Sequence, residues 1–287
     1  MTAEQTATDL EMHDPELYRY DAVAEPLNGL ESIGKAEVDL YGSQGFLAVS
    51  NAFPTDMIEA ALEGWTAIVR GEYPEYNGFD WEPAAQHRID EITVEERFGV
   101  LRKIMFFVGF EPRLKALSHS PELLDVVSRM IDAKPRMFQD MALSKPPGIG
   151  REKPWHQDCS YFDIPPGTPV VGVWIALDEA TIENGCMHVM AGGHREGPIV
   201  HFQRRDWQIC DDDLYRIRGK ERPVIAVPLE PGGCLFFSGI TPHGTPHNHS
   251  DKPRCALQYH YYPEDTQSIP TEERLAVFGE EGKDVSC

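Results

Sequence analysis

Two stretches of this 287-residue chain carry side chains that could act together on a metal ion. The first is Trp155-His156-Gln157-Asp158. The second, far downstream, is Phe236-Phe237-Ser238-Gly239-Ile240-Thr241-Pro242-His243-Gly244-Thr245. On an extended strand, positions i and i+2 point to the same face. His156 and Asp158 would therefore present an imidazole and a carboxylate to one point. A second imidazole from another strand would complete a 2-His-1-carboxylate facial triad. That set holds one face of an octahedral Fe(II) and leaves three positions open for cosubstrate and oxygen. His243 is the candidate third ligand, because a strand-like Phe236-Phe237 leads to it. His247, four residues on, is its rival.

A bare His-x-Asp pairing is weak evidence, and the chain contains a second one, His249-Ser250-Asp251. That second pair lies in a run from Pro246 to Pro253 that reads as turn. The first follows Lys145-Pro146-Pro147-Gly148 and precedes the apolar run Val170–Leu177. Arg254 begins a further strand pattern 11 residues after His243. An inward Arg beside a metal site is costly unless it meets an anion. Its planar fork suits a carboxylate. A cosubstrate with a chelating 2-oxo acid end and a distal carboxylate would engage both the metal and Arg254.

The elements that must position these residues read as follows. Residues 1–35 form an acidic, weakly periodic arm, with the remaining 36–287 as one domain. Tyr41–Val49 reads as a turn entering a strand. Thr55 is expected to cap a helix that Gly71 ends, with Met57, Ile58, Ala61, Leu62, Trp65 and Ile68 at helical spacing. Residues 72–98 are irregular and aromatic, which fits a lid over a pocket and fits packing against the domain equally well. A helix is expected over Leu101–Phe107, and another from Ser120-Pro121-Glu122, with Ser as cap and Pro at the first position. From Pro135 the pattern changes to strands, with Met137, Gln139 and Met141 on one face. Strands recur at Val170–Leu177, Cys186–Met190, Pro198–Phe202, Val224–Val227, Cys234–Phe237 and Arg254–Tyr262. Many short strands between Gly, Pro and Asn turns predict a mainly β jelly roll with N-terminal helices. Residues 203–222, dense in charge, read as a solvated surface insertion.

Composition narrows the partners. A net charge of −21, from 47 acidic and 26 basic residues, argues against general binding to nucleic acid or anionic membranes. No apolar run reaches the length of a membrane-spanning helix, and the acidic N-terminus lacks a secretory signature. The six cysteines form no CxxC pair, so free thiols in a reducing, cytoplasmic compartment are expected.

Several motifs in order carry a resemblance. Trp155-His156-Gln157-Asp158, Trp174-Ile175-Ala176-Leu177-Asp178, Glu183-Asn184-Gly185-Cys186, Gly192-Gly193-His194 and His243-Gly244-Thr245-x-x-Asn248 followed by Arg254 resemble the phytanoyl-CoA dioxygenase family. The resemblance covers roughly residues 40–265. It implies a double-stranded β-helix (cupin-like jelly roll) and an Fe(II)- and 2-oxoglutarate-dependent oxygenase. It implies His156, Asp158 and His243 as catalytic iron ligands, with Arg254 and Thr245 on the distal carboxylate of 2-oxoglutarate. Lys103, Met141 and Trp174 match further cosubstrate-contacting positions, and Gln139 faces the same way as Met141. By residue type alone, Met141 and Trp174 would be core, and Lys103 a solvated charge. The implied reaction consumes O₂ and 2-oxoglutarate, releases succinate and CO₂, and hydroxylates a C–H bond of a small-molecule substrate. The alternatives are desaturation or ring formation on the same iron, or a non-enzymatic jelly-roll protein that binds a metal or ligand. A coenzyme A thioester is not the expected substrate. The chain is strongly acidic, and the basic residues of 204–222 are interrupted by acids.

Overall fold

A computed structural model describes residues 14–204 and 206–279. The first half carries β1 (Ala22–Val23), β2 (Leu27–Asn28), α1 (Lys35–Gln44), β3 (Phe46–Ser50), α2 (Thr55–Arg70), β4 (Phe79–Trp81), β5 (Leu101–Met105), α3 (Pro112–Ser118) and α4 (Pro121–Ile131). The second carries β6 (Pro135–Lys145), β7 (Lys153–His156), β8 (Val171–Ala176), β9 (Met187–Met190), β10 (His201–Gln203), β11 (Trp207–Ile209), α5 (Asp211–Arg218), β12 (Val224–Val227), β13 (Cys234–Ser238), β14 (His243–Thr245), β15 (Arg254–Pro263) and α6 (Thr271–Phe278).

Two sheets form the jelly roll. The larger has eight strands in the order β2-β3-β13-β8-β15-β6-β5-β4, and the smaller has five, β1-β12-β9-β14-β7. Alternation sorts the larger sheet's side chains. Trp174, Ala176, Leu235, Phe237 and Ala256 face Met187, Val189 and Ala226 of the smaller sheet. Val173, Ile175, Phe236, Leu257 and Tyr259 face Ile58 and Ile68 of α2, Leu114 of α3 and Val126 of α4. β8 is therefore buried on both sides, which is why its sequence is a continuous apolar run. Gly172 has a local reason: a Cβ there would come within 2.4 Å of the Phe237 ring.

Several elements differ from the sequence reading. Leu101–Met105 is a strand, not a helix. Its Ile104 packs into the helix-side core, and it is held between β4 and β6 with Ile104 opposite Ala142. Pairing across the sheet overrides a local pattern that also suits a helix. Thr55 is the first helical residue, and Pro54 occupies the cap position. Helices α1 and α3 have no counterpart in the sequence reading. The described part of the 1–35 arm joins both sheets. β1 pairs parallel with β12, and β2 with β3. Residues 1–13 of that arm lie outside the described residues. The charged insertion is only partly solvated, since Leu214 and Ile217 of α5 pack with Leu17, Trp155 and Ile209. Cys159, Cys186, Cys234 and Cys255 are free and buried, whereas Cys210 is disulfide-bonded, contrary to the expectation of free thiols throughout. Among the described residues, no helix is long and apolar enough to cross a membrane.

Candidate metal centre

The smaller sheet brings the triad residues together. β14 pairs antiparallel with β7, and His243 lies directly opposite His156. The strand β7 ends at His156. Gln157 continues extended, and Asp158 opens a short 3-10 turn that runs to Tyr161. The i, i+2 relation thus survives although the strand does not. The ligand atoms of His156, Asp158 and His243 lie within 4.8 Å of one another, and all three residues are buried. Asp158 Oδ1 is 3.3 Å from His156 Nε2 and 3.6 Å from His243 Nε2.

Backbone carbonyls set the imidazole tautomers. His156 Nδ1 donates to the Pro154 carbonyl at 2.7 Å, and His243 Nδ1 to the Thr241 carbonyl at 2.9 Å. Each Nε2 is left with its lone pair facing the common point, as metal-ligating imidazoles require. Burial, then the nearby His156, pushes His243 down to about 3, so it is neutral and able to ligate at ordinary pH. Burial would raise the Asp158 carboxyl, but the surrounding histidines, with His260 hydrogen-bonded to Oδ2, hold it well below the ordinary range. The Phe237 ring, admitted by Gly172, packs against His243 with centroids 4.6 Å apart.

Four supporting residues were not singled out from sequence. His260 Nε2 donates to Asp158 Oδ2 at 2.7 Å, and Gln258 Nε2 reaches the same oxygen at 3.2 Å. Both lie on β15, two apart, and are buried. They occupy Oδ2 and leave Oδ1 toward the two imidazoles. Gln157 pins the turn between the ligands. Its amide donates to the carbonyls of Gly197 and Ile240 and accepts from Ile199 N–H. His201 Nε2 accepts from the Gln157 backbone N–H at 2.9 Å. The rival assignments are elsewhere. His247 reaches the Gly148 carbonyl on a turn, and His249 and Asp251 are exposed.

The triad opens into a cavity of about 370 Å³. Lys103, Gln139, Met141, Thr245 and Arg254 line it, together with His156, Asp158 and His243. Trp174 does not. It is fully buried beneath Arg254, whose guanidinium lies 5.4 Å from the ring centroid. Arg254 is itself 1% exposed, and burial pushes it down to about 10. Among the described residues, its Nε and Nη1 have no hydrogen-bond partner, and Nη2 reaches only the Gly185 carbonyl at 3.4 Å. An orphaned, buried guanidinium facing a cavity fits an anionic ligand.

The aromatic segment 72–98 and the charged insertion 203–222 each contribute wall. Asp80 to Pro83 come from 72–98, and Gln203 and Asp206 from 203–222. Tyr76 of the first segment is instead core, its hydroxyl donating to the Met105 carbonyl at 2.7 Å. The mouth is laced by ion pairs. Asp206 meets Lys153 at 2.8 Å and Arg102 at 3.5 Å, Glu82 meets Arg102 at 3.6 Å, and Lys103 meets Asp80 at 3.4 Å. Burial opposes its ionisation, but Lys153 and Arg102 hold the Asp206 carboxyl well below the ordinary range.

The family model for phytanoyl-CoA dioxygenase matches residues 41–256. A phytanoyl-CoA dioxygenase domain-containing protein 1 of Danio rerio is 30% identical over 165 residues, covering 53% of this chain and 53% of its own. The chain thus spans about half the length of that relative. The peroxisomal phytanoyl-CoA dioxygenase of Mus musculus is 25% identical over 235 residues, covering 80% of this chain and 68% of its own. Among solved structures, EvdO2 from Micromonospora carbonacea var. aurantiaca superposes with a TM-score of 0.64 at 25% identity, over 86% of this chain and 97% of that one.

Proposed function

This chain belongs to the phytanoyl-CoA dioxygenase family, and from that premise we propose that it is an Fe(II)- and 2-oxoglutarate-dependent oxygenase that hydroxylates a C–H bond of a small organic molecule. The observation that carries the reading is the convergence of three buried ligand atoms, two of them on tautomer-set imidazoles, beside an orphaned Arg254. His156, Asp158 and His243 would hold the iron. Arg254 and the Thr245 hydroxyl would hold the distal carboxylate of 2-oxoglutarate, with Lys103, Gln139 and Met141 along the wall. Trp174 would act through Arg254, as the ring that supports its guanidinium. Together with O₂, the bound metal and cosubstrate supply the oxidising chemistry. The chain's own work is to orient the substrate and exclude water. Tyr161, Phe162, Met105 and Met187 are among the apolar residues of the wall against which a substrate would lie.

The substrate is a small molecule rather than a coenzyme A thioester. Among the described residues, the cations of the charged insertion do not form a free patch for several phosphates; Arg205 lies outside the described residues. Arg204 meets Asp211, Arg216 meets Asp213, Arg218 meets Asp21, and Lys220 and Arg222 meet Glu196. Two measurements test the reading. The protein with Fe(II), 2-oxoglutarate and O₂ should release succinate in step with a substrate product that has gained one oxygen atom. A product that has only lost two hydrogens would replace hydroxylation with desaturation or ring formation. Matched free and coenzyme A-linked substrates should be turned over with no preference for the thioester at low salt. A strong thioester preference, lost on neutralising Arg204, Arg205 and Arg218, would overturn the second statement.

A further inference from the structure

Lys145 and Arg254 lie directly opposite each other where β6 pairs with β15. They are 4% and 1% exposed, and both line the cavity. Like charges directly opposite destabilise a sheet. Burial raises that cost, because neither charge has water to screen it. The partners present do not supply the missing negative charge. Lys145 Nζ donates to the backbone carbonyls of Thr245, at 3.2 Å, and of Pro246. Arg254 reaches only the Gly185 carbonyl, and its Nε and Nη1 are orphaned. Burial and then the facing Arg254 push Lys145 well below the ordinary lysine range, and Glu82 and Glu152 attract it without a hydrogen bond. Asp178 likewise attracts Arg254 without one, so an anion between the two is needed to keep both charged.

The ends of the two side chains flank the same backbone. A Cβ built on Gly185 would stand 3.3 Å from Lys145 Nζ, and the carbonyl of Gly185 receives Arg254. Lys145 Nζ donates to the backbone of Thr245, and Thr245 lines the cavity together with Lys145 and Arg254. Two of the three ammonium N–H groups serve carbonyls, and the third remains for a ligand.

We propose that Lys145 is a second cationic contact for the distal carboxylate of the cosubstrate, which Lys145 and Arg254 grip together with Thr245. The inference rests on the 2-oxoglutarate reading above. It makes this end of the cavity selective for a 2-oxo dicarboxylate over a 2-oxo monocarboxylate. A single neutralised cation would leave Arg254 alone to discriminate between them.

The test is calorimetric binding to the full chain loaded with Mn(II), without O₂. The ligands are 2-oxoglutarate and 2-oxobutyrate, which shares the chelating end and lacks the distal carboxylate. Lys145→Met should weaken 2-oxoglutarate about ten- to a hundredfold, the loss of one charge-assisted hydrogen bond. Binding of 2-oxobutyrate should change by less than about twofold. Lys145→Gln, which keeps a donor for the two carbonyls but no charge, should show the same selective loss. It decides the matter if the Met variant does not fold. Equal weakening of both acids would assign Lys145 to shaping the strand end. Unchanged 2-oxoglutarate binding in a folded variant would also overturn the proposal. A wild-type protein that binds neither acid would refute the cosubstrate reading itself, before any variant is compared.

Discussion

Replacing His260 by phenylalanine should weaken metal binding while leaving the cavity packing intact. The ring of His260 is fully buried, with centroids 4.9 Å from Phe162 and 6.0 Å from Phe138. Phenylalanine keeps that ring volume and removes the N–H. What is lost is the 2.7 Å bond to Asp158 Oδ2. A hydrogen bond to a charged group is worth about 1.5–3 kcal/mol. Gln258 remains on the same oxygen at 3.2 Å, so the lower end applies. About 1.5 kcal/mol corresponds to about tenfold in affinity, in line with the loss usual for groups that orient metal ligands. Titration of the metal-free protein with Mn(II), followed by calorimetry or electron paramagnetic resonance, measures this directly. Urea unfolding of the metal-free variant checks the fold. His260→Gln should recover part of the affinity by restoring a donor. If His260→Phe folds and binds Mn(II) as tightly as the wild type, Asp158 is not held for the metal by His260, and the argument from Oδ2 fails.

Asp158→Ala should abolish substrate oxidation and most metal affinity, because it removes the only carboxylate of the triad. Efficient chlorination by the native protein, with Asp158 in place, would contradict its assignment as a ligand in a hydroxylase. Arg254→Ala should weaken 2-oxoglutarate binding by about 2–5 kcal/mol. It should cost the metal-free fold much less, since Nε and Nη1 bond nothing there. Unchanged cosubstrate affinity in the folded variant would move the principal anchor elsewhere, Lys103 first. Glu111 gives a pH test remote from the metal. Its hydrogen bonds from Arg113 lower the carboxyl to about 2 against the effect of burial. A pKa lowered on folding stabilises above the unfolded value of about 4.3, and that contribution disappears as pH falls toward the folded value. Glu111→Gln should therefore be less stable than wild type at about pH 5, with the gap closing by about pH 2. Urea midpoints that keep the same gap at both pH values would refute this.

The triad was legible because its decisive relation is local. His156 and Asp158 are two apart, and extended backbone at Gln157 is enough to turn both side chains one way. Arg254 was legible for an energetic reason: an arginine opening an apolar strand needs an anion. The alternation of β6 likewise placed Gln139 and Met141 on one wall. The strand before it favours His243 over His247, but only the pairing of β14 with β7 puts its ring beside His156, with centroids 4.2 Å apart.

The remaining features depend on contacts between distant parts of the chain. Leu101–Met105 reads as helix because its own residues do not contain the strand β6 that pairs with it. His260 looks like one more residue of an apolar strand, yet it meets Asp158 across 102 positions. Lys145 reads as the charged edge of a Pro-Pro-Gly loop. Register alone sets it opposite Arg254 and buries both. Side-chain type and strand periodicity therefore determined which groups could ligate and which way they point. Which groups support them was decided by sheet order and register, because a hydrogen bond acts over about 3 Å of space whatever the separation in sequence.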